Sequence, residues 1–286
     1  MTVSIDDLKF LTLNVGHAVH DADWNWTDVS SPFARIYLVT DGGAAVSFAG
    51  CEHELQPHHL YLIPPFVKHS DICHGHFEHY YIHVYEDPRA PYRILEDRLF
   101  PFCLEAGELE TQLCQRLCQL NPQMNLPQSA PSSYDNSRGL YESLRRNKMR
   151  RLFEQVESRG IVSQLIARFL AEAKPKTNCC DGRIQNVVRY VRQNINKQID
   201  LERLAELSYM SKDHFIRTFH RKMGTTPMRY IIERKMEHAQ LLLTTDDMPI
   251  KSVAHATGYY DHSYFNRMFK KEVGMTPQQY RDMGKK

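Results

Sequence analysis

Two short stretches near the C-terminus carry side chains that could hold a polyanion. Lys212, Asp213, Ile216, Arg217, His220 and Arg221 fall on the side of a helix-length segment opposite Phe215 and Phe219. His262, Ser263, Asn266, Arg267, Lys270 and Lys271 stand in the same relation to Phe265 and Phe269. Amide, imidazole and guanidinium groups can bond base edges, and lysine and arginine neutralise phosphates, so each face has the mixture that a helix lying in a DNA major groove requires. The phenylalanines, four residues apart, belong to the core side of each helix.

A second concentration of reactive groups lies early in the chain. Ten of the fifteen histidines precede residue 84, and His69, His74, His76, His79 and His83 are crowded together. Metal-dependent cupin enzymes use a His-x-His pair, a Glu several residues later and a distant His. Here His74-Gly75-His76 is followed by Glu78 after a single residue, in a glycine-interrupted stretch that reads as a turn. The spacing is poor, so no metal and no cofactor are expected. The seven cysteines (51, 73, 103, 114, 118, 179 and 180) form no disulfide framework, and their odd count fits free thiols in a reducing compartment. Neither Cys114-x-x-x-Cys118 nor Cys179-Cys180 supplies the four-cysteine zinc site or nucleophile context of a DNA-repair methyltransferase. With no glycine-rich phosphate loop and no Gly-x-Ser-x-Gly elbow, the chain is not expected to be an enzyme.

The elements that must position these groups differ between the two ends. Apolar, β-branched runs at Ile36–Thr40, Ala44–Phe48, Leu60–Ile63 and Tyr80–Tyr85, broken by Asp41-Gly42-Gly43, Pro64-Pro65 and Asp87-Pro88, predict a β-sandwich or barrel. Leu109, Leu113, Leu117 and Leu120 then recur at helical spacing, which predicts an amphipathic helix over 105–120. Residues 121–137 read as a mobile loop, helical character returns near Leu140, and a break is expected at Gly160. Residues 175–182 read as a linker between a domain over 1–174 and another over 183–286.

That second domain contains an internal repeat. A shift of fifty places Phe215 on Phe265, Arg217 on Arg267, Phe219 on Phe269, Gly224 on Gly274, Thr226 on Thr276, Pro227 on Pro277 and Tyr230 on Tyr280. Each copy has the parts of a helix-turn-helix, over about 200–223 and 250–273. Asp200, Ser211 and Asp261 are N-cap candidates, Gly224 and Gly274 suit left-handed helix ends, and small Ala205 and Ala254 permit close packing. A helix over Met228–Leu243, ~24 Å long at 1.5 Å per residue, joins the copies. It could hold the two faces roughly one DNA turn, ~34 Å, apart.

The 286 residues are 42% hydrophobic and 24% charged, the composition of a globular chain with room for two domains. No run approaches the ~18 apolar residues of a membrane helix, and the N-terminus lacks a secretory pattern, so a cytoplasmic location is expected. From Asp181 onward there are 19 Lys+Arg against 12 Asp+Glu, net +7, while the preceding part is net −5. The asymmetry places the polyanion partner at the C-terminal end.

From Arg183 to Arg281 the sequence resembles the AraC/XylS family of bacterial transcription regulators. The densest part runs from Asp261 to Arg281, with the Tyr264-Phe265 pair, Arg267-x-Phe269-Lys270, Gly274-x-x-Pro277 and Tyr280-Arg281. Tyr259 stands where the family usually has Phe. The resemblance implies double-stranded DNA as partner, with base contacts from Asp213, Ile216 and Arg217 in the first copy and His262, Ser263, Asn266 and Arg267 in the second. Lys212, Arg221, Lys270 and Lys271 complete the expected DNA-binding face.

The N-terminal part resembles, more loosely, the family's cupin-like sensing domain, on Asp41-Gly42, the 60–69 run and the strand near His83. That implies an α+β two-domain protein: a jelly-roll barrel holding a small-molecule effector such as a sugar, helices that pair two copies, and an all-α double helix-turn-helix domain. Trp26, Arg35, Tyr37, His69, Tyr81 and His83 are the candidate pocket residues, and Leu109, Leu113 and Leu117 the candidate pairing residues. RNA polymerase is a further partner that the resemblance suggests. The alternatives are a constitutive DNA-binding protein whose β domain only pairs copies, and a metal-dependent cupin enzyme fused to a DNA-binding module.

Overall fold

The computed structural model describes residues 4–87, 90, 92–175 and 182–282. The chain folds into two compact units. The expected linker lies largely outside the described residues.

In the first unit the strands, several of them apolar runs buried on both faces, are β1 (Phe10–Asp21), β2 (Trp26–Val29), β3 (Ala34–Gly42), β4 (Ala44–Phe48), β5 (Cys51–Leu55), β6 (His59–Ile63), β7 (His69–Ile72) and β8 (His76–Glu86). A short helix α1 (Ile94–Asp97), β9 (Arg98–Leu99) and β10 (Cys103–Glu105) follow. The strands form a five-stranded sheet ordered β1-β8-β3-β6-β10 and a four-stranded sheet ordered β2-β7-β4-β5. The two sheets close on one core: Tyr37, Tyr61, Phe77 and Tyr81 from the first meet Val46 and Leu55 from the second. Residues such as Val39 and Ile63, β-branched and fully buried, explain why these runs are strands.

Helices α2 (Glu108–Leu120), α3 (Pro131–Tyr134), α4 (Ser137–Met149) and α5 (Leu152–Glu172) complete the unit. Helices α2, α4 and α5 lie against β1, and α2 also lies against α5. Three expectations need correction. Gly160 does not break a helix: α5 runs through it, and the buried Ser158, Ile161 and Val162 around it outweigh the ~1 kcal/mol that a helical glycine costs. The 121–137 stretch is not a free loop, since it folds into a 3-10 turn at Pro122–Met124 and then α3. Leu117 is fully buried within its own unit and is not available to pair copies, whereas Leu109 is 58% exposed.

The second unit is helical: α6 (Gly182–Gln193), α7 (Leu201–Leu207), α8 (Lys212–Met223), α9 (Pro227–Thr245), α10 (Ile250–Ala256), α11 (His262–Val273) and α12 (Pro277–Asp282). Asp200 caps α7 through Arg203 N, Thr226 caps α9 through Arg229 N, and Asp261 caps α11 through Ser263 N and Tyr264 N. Ser211 stands at the N-cap of α8 but its side chain makes no capping bond. Gly224 and Gly274 end α8 and α11 at φ 71° and 85°, the left-handed C-caps that the repeat predicts.

The copies share a core device. Phe215–Phe219 and Phe219–Tyr230 stack at centroid distances of 5.7 Å each, and Phe265–Phe269 and Phe269–Tyr280 at 5.8 and 5.6 Å. All four phenylalanines are fully buried. Offset and edge contacts of this kind add ~0.5–1.5 kcal/mol each beyond area burial.

Candidate functional site

In each helix-turn-helix the first helix fixes the second through a tight turn. Tyr209 has φ 53° and Met210 N bonds Ala205 O at 3.1 Å; in the second copy Gly258 has φ 72° and Tyr259 N bonds Ala254 O at 2.9 Å. The equivalent alanines are 49 residues apart whereas Phe215 and Phe265 are 50 apart, so the second turn holds one extra residue. Lys235, on α9, braces that turn. Its Nζ donates to Lys197 O (2.8 Å), Thr257 O (2.7 Å) and Gly258 O (3.3 Å), it lies 5.0 Å from the Tyr259 ring centroid, and burial pushes its pKa down to about 8. Nothing in the spacing of charged residues distinguished Lys235 from a surface lysine.

With their aromatic faces buried, α8 and α11 present their other faces outward. Lys212, Asp213, Arg217 and Arg221 are exposed, and Ile216 is half-buried against the core. On α11 Ser263, Arg267, Lys270 and Lys271 are exposed, with His262 and Asn266 half-buried. Among the described residues Arg217, Arg221, Lys270 and Lys271 belong to no ion pair, and His262 Nε2 and Asn266 Oδ1 have no hydrogen-bond partner. Lys212 is engaged: its Nζ pairs with Glu202 Oε1 on α7. Arg267 lies 5.9 Å from the Tyr264 ring centroid. Arg229 of α9 pairs with Glu233 (2.7 Å) and with Glu272 of α11 (2.7 Å), tying the connecting helix to the second copy. Two ridges thus lie on one helical unit, each carrying exposed cations that no carboxylate of the described residues neutralises, Lys212 excepted.

A helix-turn-helix domain model matches residues 204–283. Over this domain the chain is similar to transcription regulators of the AraC/XylS type. The MmsAB operon regulatory protein of Pseudomonas aeruginosa is 37% identical over 92 residues, which cover 32% of this chain and 30% of that protein. The arabinose operon regulatory protein of Salmonella typhimurium is 26% identical over 124 residues, 43% of this chain and 44% of that one. The matches therefore span less than half of these relatives. Among solved structures, the DNA-binding domain of AdpA in complex with a target DNA is similar at 30% identity, covering 35% of this chain and 89% of that one at a TM-score of 0.34.

The interior of the first unit holds a polar cluster. The β3–β8 register sets Arg35 beside His83, Tyr37 beside Tyr81 and Val39 beside His79. Arg35, 2% exposed, donates through Nη1 to Tyr134 OH (2.7 Å) and His83 Nε2 (3.3 Å), and through Nη2 to Ser31 Oγ (2.5 Å) and Asp135 Oδ2 (3.1 Å). Burial opposes its charge, but the fields of Tyr134, Tyr37 and Asp135 hold its pKa above the usual value. Burial, with Arg35 nearby, holds the His83 ring neutral. Its Nδ1 faces Asn14 Nδ2 at 3.4 Å, and Asn14 Oδ1 already accepts from Ser143 and Arg146, so both ring nitrogens face donors and only one can accept.

Sharing His83 and Tyr134 with this cluster is a cavity of about 120 Å³, lined also by Trp24, Tyr37, His79 and Tyr81 among others. Burial holds His79 neutral, and its Nδ1 has no hydrogen-bond partner among the described residues. Tyr81 OH bonds Asn125 Oδ1 and accepts from Leu126 N at 2.8 Å, and burial pushes its pKa up to about 12. Of the expected pocket residues, Tyr37, Tyr81 and His83 line the cavity, and Arg35 bonds the lining residues His83 and Tyr134. His69 and Trp26 do not line it. His69 Nε2 instead lies 3.7 Å from Asp71 Oδ1 on β7, and Trp26 is half-exposed opposite Asp71 in the β2–β7 register. Sequence reasoning missed His79, which strand alternation from His83 would have given, and Asn125 and Tyr134, which sit in the stretch read as a loop.

Proposed function

We propose that the chain is a sequence-specific DNA-binding transcription regulator that reads DNA through α8 and α11. The observation that carries this reading is the duplication: two tightly turned helices, each closed by a left-handed glycine, bury the same aromatic residues and leave exposed cations (Arg217 and Arg221, Lys270 and Lys271), unpaired among the described residues, on the opposite face. Helix α9, 19 residues and so ~28 Å long, supplies a spacing near the ~34 Å of one DNA turn once helix widths are added. In this reading Asp213, Ile216 and Arg217 meet bases in one major groove and His262, Ser263, Asn266 and Arg267 in the next. Arg221, Lys270 and Lys271 hold phosphates, and Lys212 does so after leaving Glu202. The operon regulatory proteins among the relatives support it.

The β unit is the sensor in this proposal. A cavity holding neutral imidazoles, phenols and one unpartnered ring nitrogen suits a small polar, uncharged effector, because Arg35 is already neutralised by Asp135. Two copies would pair through the exposed apolar positions of α2 and α5, which include Leu109, Phe153 and Val156. Selection of bound duplexes from a random pool, at stated salt, tests the DNA reading. Arg217→Ala or Asn266→Ala should then cost about 1–3 kcal/mol against the selected site and relax preference at one position. Unchanged affinity and preference would refute the assignment. Thermal-shift screening with small sugars and related metabolites tests the sensor reading, with His83→Ala expected to abolish any shift.

A further inference from the structure

The outer face of the five-stranded sheet brings together a donor set that neither the DNA reading nor the cavity uses. Asp41 on β3 and Glu78 on β8 are direct cross-strand partners, and His76 follows two residues before Glu78 on the same strand face. His76 Nε2 lies 3.5 Å from Asp41 Oδ2 and 4.0 Å from Glu78 Oε2. One ligand atom from each of the three residues lies within 4.8 Å of the others. Glu78 Oε1 is held separately, 2.9 Å from His17 Nε2 on β1. The His17 ring itself packs against Tyr80, tilted by 45°, at 4.6 Å between centroids.

The backbone beneath is built for close approach. Gly43 N bonds His76 O at 2.9 Å, and Gly42 at φ 69° passes so near His76 O that a Cβ there would lie 2.0 Å from it. The β3 turn is thereby drawn onto the start of β8, which sets Asp41 against His76.

We propose that Asp41, His76 and Glu78 bind a divalent first-row transition-metal ion, with Zn²⁺ as the natural occupant. Bonds of ~2.0–2.2 Å at tetrahedral angles put ligand atoms about 3.3–3.5 Å apart. The His76–Asp41 separation already has that value, and the His76–Glu78 separation needs a small side-chain adjustment. One imidazole with two carboxylates suits zinc better than the all-oxygen preference of magnesium or calcium. Water would fill the remaining position. His17 is a positioning residue: it fixes one carboxylate oxygen so that the other points at the ion, as an outer-shell partner does. This cluster lies outside the barrel and differs from the His74-x-His76 pattern considered from the sequence, since His74 takes no part.

Equilibrium dialysis of the full chain against Zn²⁺ at neutral pH tests this, with Co²⁺ as a spectroscopic probe. The protein should bind one more equivalent of Zn²⁺ than His76→Gln or the Asp41→Asn/Glu78→Gln double variant, and its Co²⁺ complex should show a visible d–d band that those variants lack. His17→Gln should keep the stoichiometry while weakening affinity by roughly 10–100-fold. All four side chains are partly or largely exposed, so the variants should keep the parent's far-UV spectrum and melting temperature without metal. Equal uptake and equal spectra in parent and variants would mean adventitious binding to other histidines or cysteines only, and would overturn the proposal.

Discussion

Gly258→Ala tests how the second recognition helix is held. The residue sits at φ 72°, where a Cβ costs about 1–2 kcal/mol. That Cβ would also lie 2.4 Å from Lys197 O and 2.4 Å from Lys235 Nζ. The backbone carbonyl cannot retreat without moving the chain, so Lys235 must give up bonds to the buried carbonyls it serves, at about 1–3 kcal/mol. The total is a loss of about 2–5 kcal/mol, which for a helical unit of this size lowers its melting temperature by roughly 10 °C or more. Gly224→Ala is the control: it has φ 71° but nothing within 4 Å of an added Cβ, so only the conformational cost of about 1–2 kcal/mol applies. Urea denaturation of the full chain, followed by helical circular dichroism, reads both. Equal losses in the two variants, or a loss below about 1 kcal/mol in Gly258→Ala, would refute the steric argument.

Tyr209→Gly should stabilise the protein by up to about 1 kcal/mol, because Tyr209 is 85% exposed and holds φ 53° against its own Cβ; a drop in the urea midpoint would contradict this. Asp135→Asn, which leaves Arg35 buried without its carboxylate partner, should cost about 3–5 kcal/mol in the same assay, and a change under about 1 kcal/mol would contradict it. The buried pair on β7 sets a pH dependence with opposing signs. Asp71, pushed up to about 7 by burial, stabilises the fold in acid, and that contribution is lost as pH rises from 3.8 through 7. His69, pushed down to about 4 by burial, contributes stability that is present above 6.5 and lost as pH falls through 4. Asp71→Asn removes the first, so thermal stability should rise more steeply between pH 4 and 7 than in the parent, and a superimposable profile would contradict the assignment.

The helical unit was legible because its signals are local. Helix ends at Gly224 and Gly274, starts at Pro227 and Pro277, and the buried aromatic pairs are short-range choices repeated in order, so each confirms the other. What escaped was long-range: Lys235 acts on a turn more than twenty residues away, and the extra residue in the second turn shows only when Ala205–Ser211 is set against Ala254–Asp261. In the β unit alternation put Tyr81 and His83 on one face, the resemblance and not the alternation marked that face as inward, and both residues line the cavity. The polar 121–137 stretch gave no periodic pattern, yet it delivers Asn125, Tyr134 and Asp135 to that interior through tertiary hydrogen bonds. Leu117 failed for a related reason: helical spacing marks an apolar face but does not say whether the chain itself or a second copy covers it.

In the proposed complex two helices of one unit read successive grooves on one side of the duplex. Affinity for the selected site should be measured beside a version with five base pairs inserted between its halves, which turns one groove to the opposite side by about half a helical turn. Affinity should fall at least about tenfold toward the non-specific level, and a full-turn insertion should not restore it because α9 fixes the span. Equal affinity for the parent and five-base-pair sites would contradict it.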